Sequence, residues 1–408
     1  MNYVIIGNSA AAVGCVEGIR QVDQKGKITI ISDEPYHTYS RPLISYLLCG
    51  KTTEELMRYR PDDFYQTNKV ETILGQKVTK IDPDAKQVLL ESGKTVSYDK
   101  LLCATGSSPF VPPMKGLETV EQKFTFMTLD AATALQKAIT PASNVLIIGA
   151  GLIGLKCAEG IFDSVRSVTV VDLAPHILSS ILDEAGAQMM QRHLEKQGLK
   201  FYLNDSVESF DHNTALLKSG EKLTFDQLVL AVGVRPNVSL IKDAGGKVGR
   251  GIVIDATMQT SLPDVYAAGD CTESHDISSD QDRILALLPN AYLQGECAGK
   301  NMAGASCVFD KAIPMNAIGL LGLHIITAGS YEGEEKCVQD KESYKKMFIK
   351  DGKLKGYILI GNIDRAGIYT NLIREQTPLS EIDFDMVFEH PSLMAFGRGY
   401  RDKVLAGK

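Results

Sequence analysis

Two stretches of this chain repeat one design, and the repeat constrains the fold more tightly than any other feature. Tyr3-Val4-Ile5-Ile6-Gly7-Asn8-Ser9-Ala10-Ala11-Ala12 and Val145-Leu146-Ile147-Ile148-Gly149-Ala150-Gly151-Leu152-Ile153-Gly154 each run from an apolar segment into a turn of small residues. A stretch of helical length follows each turn, then a second β-branched segment, Lys27-Ile28-Thr29-Ile30-Ile31 and Ser167-Val168-Thr169-Val170-Val171. Apolar strand, helix and apolar strand in that order make a βαβ unit. The crossover leaves both turns at the carboxyl ends of parallel strands, where open α/β sheets take up ligands. The expected class is therefore α/β, with two Rossmann-like units.

At 408 residues the chain exceeds one ordinary hydrophobic core, so two or three domains are expected. Ser107-Ser108-Pro109 and Val111-Pro112-Pro113 mark a boundary near residue 110, because proline fixes the backbone and ends regular pairing. Further changes are expected near Arg235-Pro236-Asn237 and at residue 311, before Ala312-Ile313-Pro314. The segments are thus 1–109, 110–235, 236–311 and 312–408. In the last, two apolar strands flank Asp351-Gly352-Lys353, the signal of a β-hairpin.

A net charge of −7 argues against a nucleic-acid partner, which calls for clustered excess Lys and Arg. No apolar run approaches the roughly 18 residues needed to cross a bilayer, so no membrane role is expected. The start at Met1-Asn2-Tyr3 lacks the basic segment of a signal peptide, and the cytoplasm is the expected compartment. The eight cysteines show no C-x-x-C pair, and the seven histidines are scattered without the spacing of a shared metal site. No metal is expected.

Gly149, Gly151 and Gly154 form G-x-G-x-x-G between a strand and a helix, where backbone N–H groups and the helix dipole suit a pyrophosphate. Leu152 and Ile153 open that helix, and Asp172 ends the next strand, placed to accept from ribose hydroxyls. A carboxylate there repels a 2′-phosphate, so NAD(H) is favoured over NADP(H). The first unit is less regular. Gly7 is present, but Ser9 and Ala12 stand where glycines usually occur, beside Ala10 and Ala11, and the expected acid is displaced from Ser32 to Asp33 or Glu34.

Further pieces make the chain resemble the FAD-dependent pyridine-nucleotide oxidoreductases, within them the NADH:rubredoxin oxidoreductases and the flavin region of assimilatory nitrite reductases. They are Tyr39-Ser40-Arg41-Pro42-Leu43, Ala104-Thr105-Gly106, Ala231-Val232-Gly233-Val234-Arg235-Pro236-Asn237, Val265-Tyr266-Ala267-Ala268-Gly269-Asp270 and Pro289-Asn290-Ala291. The resemblance implies two glutathione-reductase-type dinucleotide-binding domains and a C-terminal α+β domain. FAD would be bound by 1–109 and 236–311, NAD(H) by 110–235, and 312–408 would form the C-terminal domain. It implies that Arg41 meets the FAD pyrophosphate and that Asp270 holds a ribityl hydroxyl. It also implies that the helix opening near Asn290 points its positive end at the flavin.

Departures from the family are as informative. Many relatives pair a lysine after the arginine motif with a glutamate beyond the nicotinamide-site glycines; here Tyr46 and Lys156 stand near those places. Either Lys156, partnered by Glu159, supplies charge near the flavin, or the two form a plain helix-surface pair. Redox cysteines are missing: none lies between Leu43 and Ser45, and Cys49 is the nearest. The expected function is hydride transfer from NADH to FAD, then electron transfer to a small iron–sulfur protein such as a ferredoxin or rubredoxin. An NADH oxidase or small-molecule reductase is the alternative, and a non-catalytic FAD- and NAD-responsive module is a third reading. A homo-oligomeric state is left open.

Overall fold

The computed structural model describes residues 1–397 and 401, and the chain divides into two compact units. One comprises Met1–Ser180, Leu194–Ser274 and Arg283–Phe309; the other takes Ile181–His193, His275–Asp282 and the chain from Asp310 onward.

The first unit holds two five-stranded parallel sheets of like order. Strand β1 (Asn2–Ile6) leads through helix α1 (Ala10–Val22) to β2 (Lys27–Ser32), with Ile6 opposite Ile31. The order across this sheet is Val265–Ala267, Lys100–Cys103, β1, β2, Val70–Leu74, every neighbouring pair parallel. Its residues are apolar on both faces because helices or further strands cover both, as a parallel sheet requires. After β2 come the turn at Arg41–Leu43 and the short helix α2 (Ile44–Leu48).

The second sheet repeats the plan with β3 (Asn144–Ile148), helix α3 (Leu152–Ile161) and β4 (Ser167–Asp172). Its order is Lys200–Leu203, β4, β3, Gln227–Leu230, Lys123–Thr125, again all parallel. In each sheet, therefore, the glycine turn leaves a strand with paired neighbours on both sides. That arrangement fixes the turn from the strand upward.

Helix α4 (Leu288–Met302) lies against α1 at backbone distance. A Cβ on Gly14 would come within 2.2 Å of the Tyr292 carbonyl oxygen, and one on Gly295 within 2.0 Å of that of Ala11. Only glycine permits so close a crossing. In this way a late segment of the chain is locked beside the first glycine turn.

The second unit carries an antiparallel sheet in the order Met315–Leu320, Leu323–Gly329, Lys353–Ile360, Tyr344–Lys350, Glu334–Gln339. The hairpin expected around Asp351-Gly352 is formed, with Lys350 opposite Lys353. Tyr357, Leu359 and Met347 of the sheet pack with Tyr369, Leu372 and Ile373 of the helix Ala366–Arg374. Phe388 and Phe396 are buried in this core and Phe384 packs at its edge, so the three phenylalanines serve local packing. Among the described residues no helix is long and apolar enough to cross a membrane.

Candidate dinucleotide sites

A cavity of about 640 Å³ opens at the carboxyl end of the first sheet, within the roughly 300–1,000 Å³ usual for small-molecule sites. Gly7, Ser9, Ala10 and Ala11 form one wall, where β1 turns into α1. Gly7 has φ +112°, and a Cβ there would meet the Ala104 carbonyl oxygen at 2.2 Å. Ser9 is the N-cap of α1 but makes no capping bond, and the first turn of the helix carries no acid. The helix therefore leaves backbone donors and a partial positive charge at the cavity, suited to a phosphate.

Arg41 and Pro42 line the opposite side with Asp33. The Arg41 guanidinium donates to Glu34 Oε1 at 3.0 Å and to the Met127 carbonyl at 3.2 Å, and lies 5.3 Å from the Tyr39 ring centroid. The two acids after β2 are thus separated in role: Asp33 faces the cavity and Glu34 holds the arginine.

Ala104, Thr105 and Gly106 form the floor together with Gly269 and Asp270. Asn237 stitches the Thr105 loop: its Nδ2 donates to the Thr105 carbonyl and its backbone carbonyl accepts from Thr105 Oγ1, both at 2.8 Å. Gln294, on α4, accepts from the Gly269 N–H at 2.7 Å and so sets the Gly-Asp loop. Burial raises the Asp270 carboxyl above the usual range, against the pull of Arg41. A half-buried carboxylate in this setting favours a hydroxyl donor from a ligand. Of the three residues expected at the start of α4, Ala291 reaches the cavity, as does Leu288; Pro289 sits in the first turn and Asn290 is fully buried.

Part of the wall lies outside any motif. Gln76 to Thr79 and Ser239-Leu240 also line the cavity, brought there by the tertiary fold. The only local hint was the position of Ser239 two residues after Asn237.

At the second sheet Gly149 has φ +114°, and a Cβ on it would meet the Ala231 carbonyl oxygen at 2.3 Å, beside Val232. A Cβ on Gly154 would strike the Gly149 carbonyl oxygen at 2.0 Å, whereas one on Gly151 or Gly233 would meet nothing within 4 Å. Two glycines therefore serve the fold, and Gly151 faces open space at the uncapped start of α3. Leu152 and Ile153 in that first turn are half-buried. Asp172 accepts from the Ala150 N–H at 2.5 Å and the Ala174 N–H at 2.8 Å, which fixes its carboxylate at the mouth of the glycine turn.

Helices α2 and α3 meet between the two sheets. The Lys156 ammonium pairs with Glu159 and stands 4.7 Å from the centroid of the Tyr46 ring. Both charged side chains are largely buried, at 19% and 8% exposure, and neither is among the residues lining the cavity. Ser45 is buried and donates to the Pro42 carbonyl; Cys49 is half-buried, its thiol directed at the Tyr46 carbonyl. Cys103 and Cys157 are fully buried in the core. Among the described residues no group of three or more His, Cys, Asp or Glu is placed to hold a metal.

Residues 1–295 match the family described as pyridine nucleotide-disulphide oxidoreductase. The chain belongs to that family. Residues 314–377 match a second pattern, the rubredoxin NAD+ reductase C-terminal domain. The NADH-dependent phenylglyoxylate dehydrogenase subunit epsilon of Aromatoleum evansii is 31% identical over 393 residues, 93% of each chain. The assimilatory nitrate reductase electron transfer subunit of Bacillus subtilis is 31% identical over 91% of this chain, which spans about half (49%) of that relative's length. In the solved structures, the covalent putidaredoxin reductase–putidaredoxin complex superposes with a TM-score of 0.88 at 23% identity, over 100% of this chain and 98% of that one. FAD and NAD(H) are the cofactors of the family, and the glycine turns, the uncapped helices and the half-buried Asp270 suit two such dinucleotides.

Proposed function

We propose that the protein oxidises NADH with FAD and passes the electrons to a small iron–sulfur protein. The observation that carries this reading is the pairing, within one compact unit, of two uncapped helices at glycine turns, α1 beside a cavity of dinucleotide scale and α3 beside Asp172. FAD accepts a hydride and can release electrons singly, so it supplies the redox chemistry.

The chain's own groups bind and orient. Gly7 to Ala11 and Arg41, itself held by Glu34, would hold the FAD pyrophosphate, Asp33 its adenosine ribose, Asp270 the ribityl chain, and Ala104 to Gly106 with Leu288 to Ala291 the flavin end. Gly149 to Gly154, Asp172, Val232 and Gly233 would hold NADH. On this reading 1–109 and 236–311 are the FAD-binding domain, 110–235 the NAD(H)-binding domain and 312–408 the C-terminal domain. Lys156, fixed by Glu159 and Tyr46, lies on the helix that Gly151 opens and keeps a positive charge between the two dinucleotides. The cytoplasm is the proposed compartment, in keeping with eight free cysteines.

An iron–sulfur acceptor is supported by the C-terminal match to the rubredoxin reductase domain and by the absence of a cysteine at Leu43 to Ser45 for a thiol-based oxidase. The test is anaerobic mixing of the FAD-loaded protein with NADH, followed by parallel turnover with ferredoxin, rubredoxin and oxygen. Rapid flavin bleaching and turnover with an iron–sulfur protein are expected. Turnover with oxygen alone would overturn the carrier reading.

A further inference from the structure

At the carboxyl end of α4, away from the cavity, two cysteines share one small polar frame. Cys297 is buried on the helix, and Cys307 is half-exposed in the segment that follows it. The Cys297 thiol donates to the Cys307 carbonyl at 3.4 Å and accepts from Asn301 Nδ2 at 3.5 Å. Asn301, one helical turn after Cys297, fixes the geometry from the other side. Its Oδ1 accepts from the Cys307 N–H and its Nδ2 donates to the Cys307 carbonyl, both at 2.8 Å, while Nδ2 also reaches the Thr257 carbonyl at 2.9 Å. The return from α4 is thus pinned with the Cys307 backbone against the Cys297 sulfur.

We propose that Cys297 and Cys307 are an oxidation site, forming a reversible intramolecular disulfide when the protein meets hydrogen peroxide. The more accessible sulfur reacts first. The Cys307 thiolate attacks one peroxide oxygen and breaks the O–O bond, giving Cys307 sulfenic acid and hydroxide, which takes up a proton to become water. Cys297 sulfur then displaces the sulfenic hydroxyl, which leaves with the Cys297 proton as a second water. Two thiols lose two electrons, and one peroxide is reduced to two waters. Burial pushes the Cys297 thiol up to about 12, so it stays protonated and unreactive toward solvent oxidants until its neighbour is activated. Lys300, between the two in sequence, works against that rise at Cys297. The Cys297 sulfur, already held against the Cys307 main chain, gives the second step a high effective concentration.

The experiment treats the FAD-loaded full chain with hydrogen peroxide, blocks free thiols, and maps tryptic peptides by mass spectrometry. Trypsin cuts at Lys300, so the Cys297 and Cys307 peptides remain joined only through a disulfide. Expected are the linked pair, loss of both thiols to alkylation and recovery of both with dithiothreitol, unchanged when the exposed Cys337 is replaced in Cys337→Ser. Cys297→Ser should trap Cys307 as a dimedone-reactive sulfenic acid, and Cys307→Ser should leave Cys297 reduced. The proposal is overturned if both thiols stay free, if Cys307 advances to sulfinic acid while Cys297 stays reduced, or if the cross-link found joins Cys307 to Cys337. These readouts do not depend on NADH turnover.

Discussion

The Lys156 ammonium lies over the face of Tyr46, with Nζ 4.7 Å from the ring centroid, while Glu159 closes on it from the next helical turn. A lysine and an aromatic ring thus join α2 to α3. The charge is shared between a carboxylate and a π-face, each contributing about 0.5–2 kcal/mol at a desolvated contact. Lys156→Met is expected to slow flavin reduction by NADH about tenfold, near 1.4 kcal/mol of barrier, with FAD content unchanged. Tyr46→Phe keeps the ring and should behave as wild type, whereas Tyr46→Leu should fall between. Stopped-flow bleaching of the flavin absorption reads all three; equal rates would remove Lys156 from the reaction.

Gly151 separates ligand binding from folding. A Cβ there meets nothing within 4 Å in the protein itself. Gly151→Ala should leave unfolding stability within about 0.5 kcal/mol, as expected for a substitution that touches no neighbour. The methyl would occupy the approach of a pyrophosphate, so the KM for NADH should rise at least about tenfold. Calorimetric titration of NADH against thermal denaturation distinguishes the two effects.

Gly160 is the reverse case. A Cβ on it would come within 2.8 Å of the Ser45 carbonyl oxygen and 3.2 Å of the Leu48 side chain, so α2 rests directly on α3. Gly160→Val should cost about 1–3 kcal/mol by forcing the helices apart. Lys156 would also lose its seat on Tyr46. Denaturant melts should register the loss, and flavin reduction should slow together with it.

Asp23 sets an acid limit on the first sheet. The backbone N–H groups of Lys25 and Gly26, with the Tyr3 hydroxyl, hold its carboxyl down at about 2. The folded value lies below the unfolded value of about 3.9, so this contribution is present above pH 4 and disappears as pH falls toward 2. Solvent screening limits it to about 1 kcal/mol. Asp23→Ala should lower the melting temperature at pH 6, by an amount that shrinks steadily as pH falls from 4 toward 2; a constant difference across that range would count against the assignment.

What the sequence disclosed was what is local. Gly149 to Asp172 could be read because strand, turn, helix and acid follow one another within one βαβ unit, and the hairpin at Asp351-Gly352 for the same reason. The cavity was harder. Gln76 and Leu240 share a wall with Gly7 through long-range packing that leaves no periodic trace. The distinct positions of Asp33 and Glu34 depend on where Arg41 points, and the Tyr46–Lys156 contact on a glycine at 160 that lets two helices touch. Such relations are properties of side-chain reach, which spacing in a sequence does not encode.

The two sheets complete themselves at different times as the chain leaves the ribosome. The second closes with strands drawn only from 123–230, a continuous stretch that can fold as soon as it emerges. The first begins at Asn2 yet waits for Val265–Ala267 at its edge and for α4 against α1. Until those segments have emerged the earliest strands therefore hold an unfinished binding site, and the cofactor can be captured only afterwards. A nascent chain stalled before residue 265 should retain no flavin, whereas one released after residue 310 has both the strand and the helix that close the cavity.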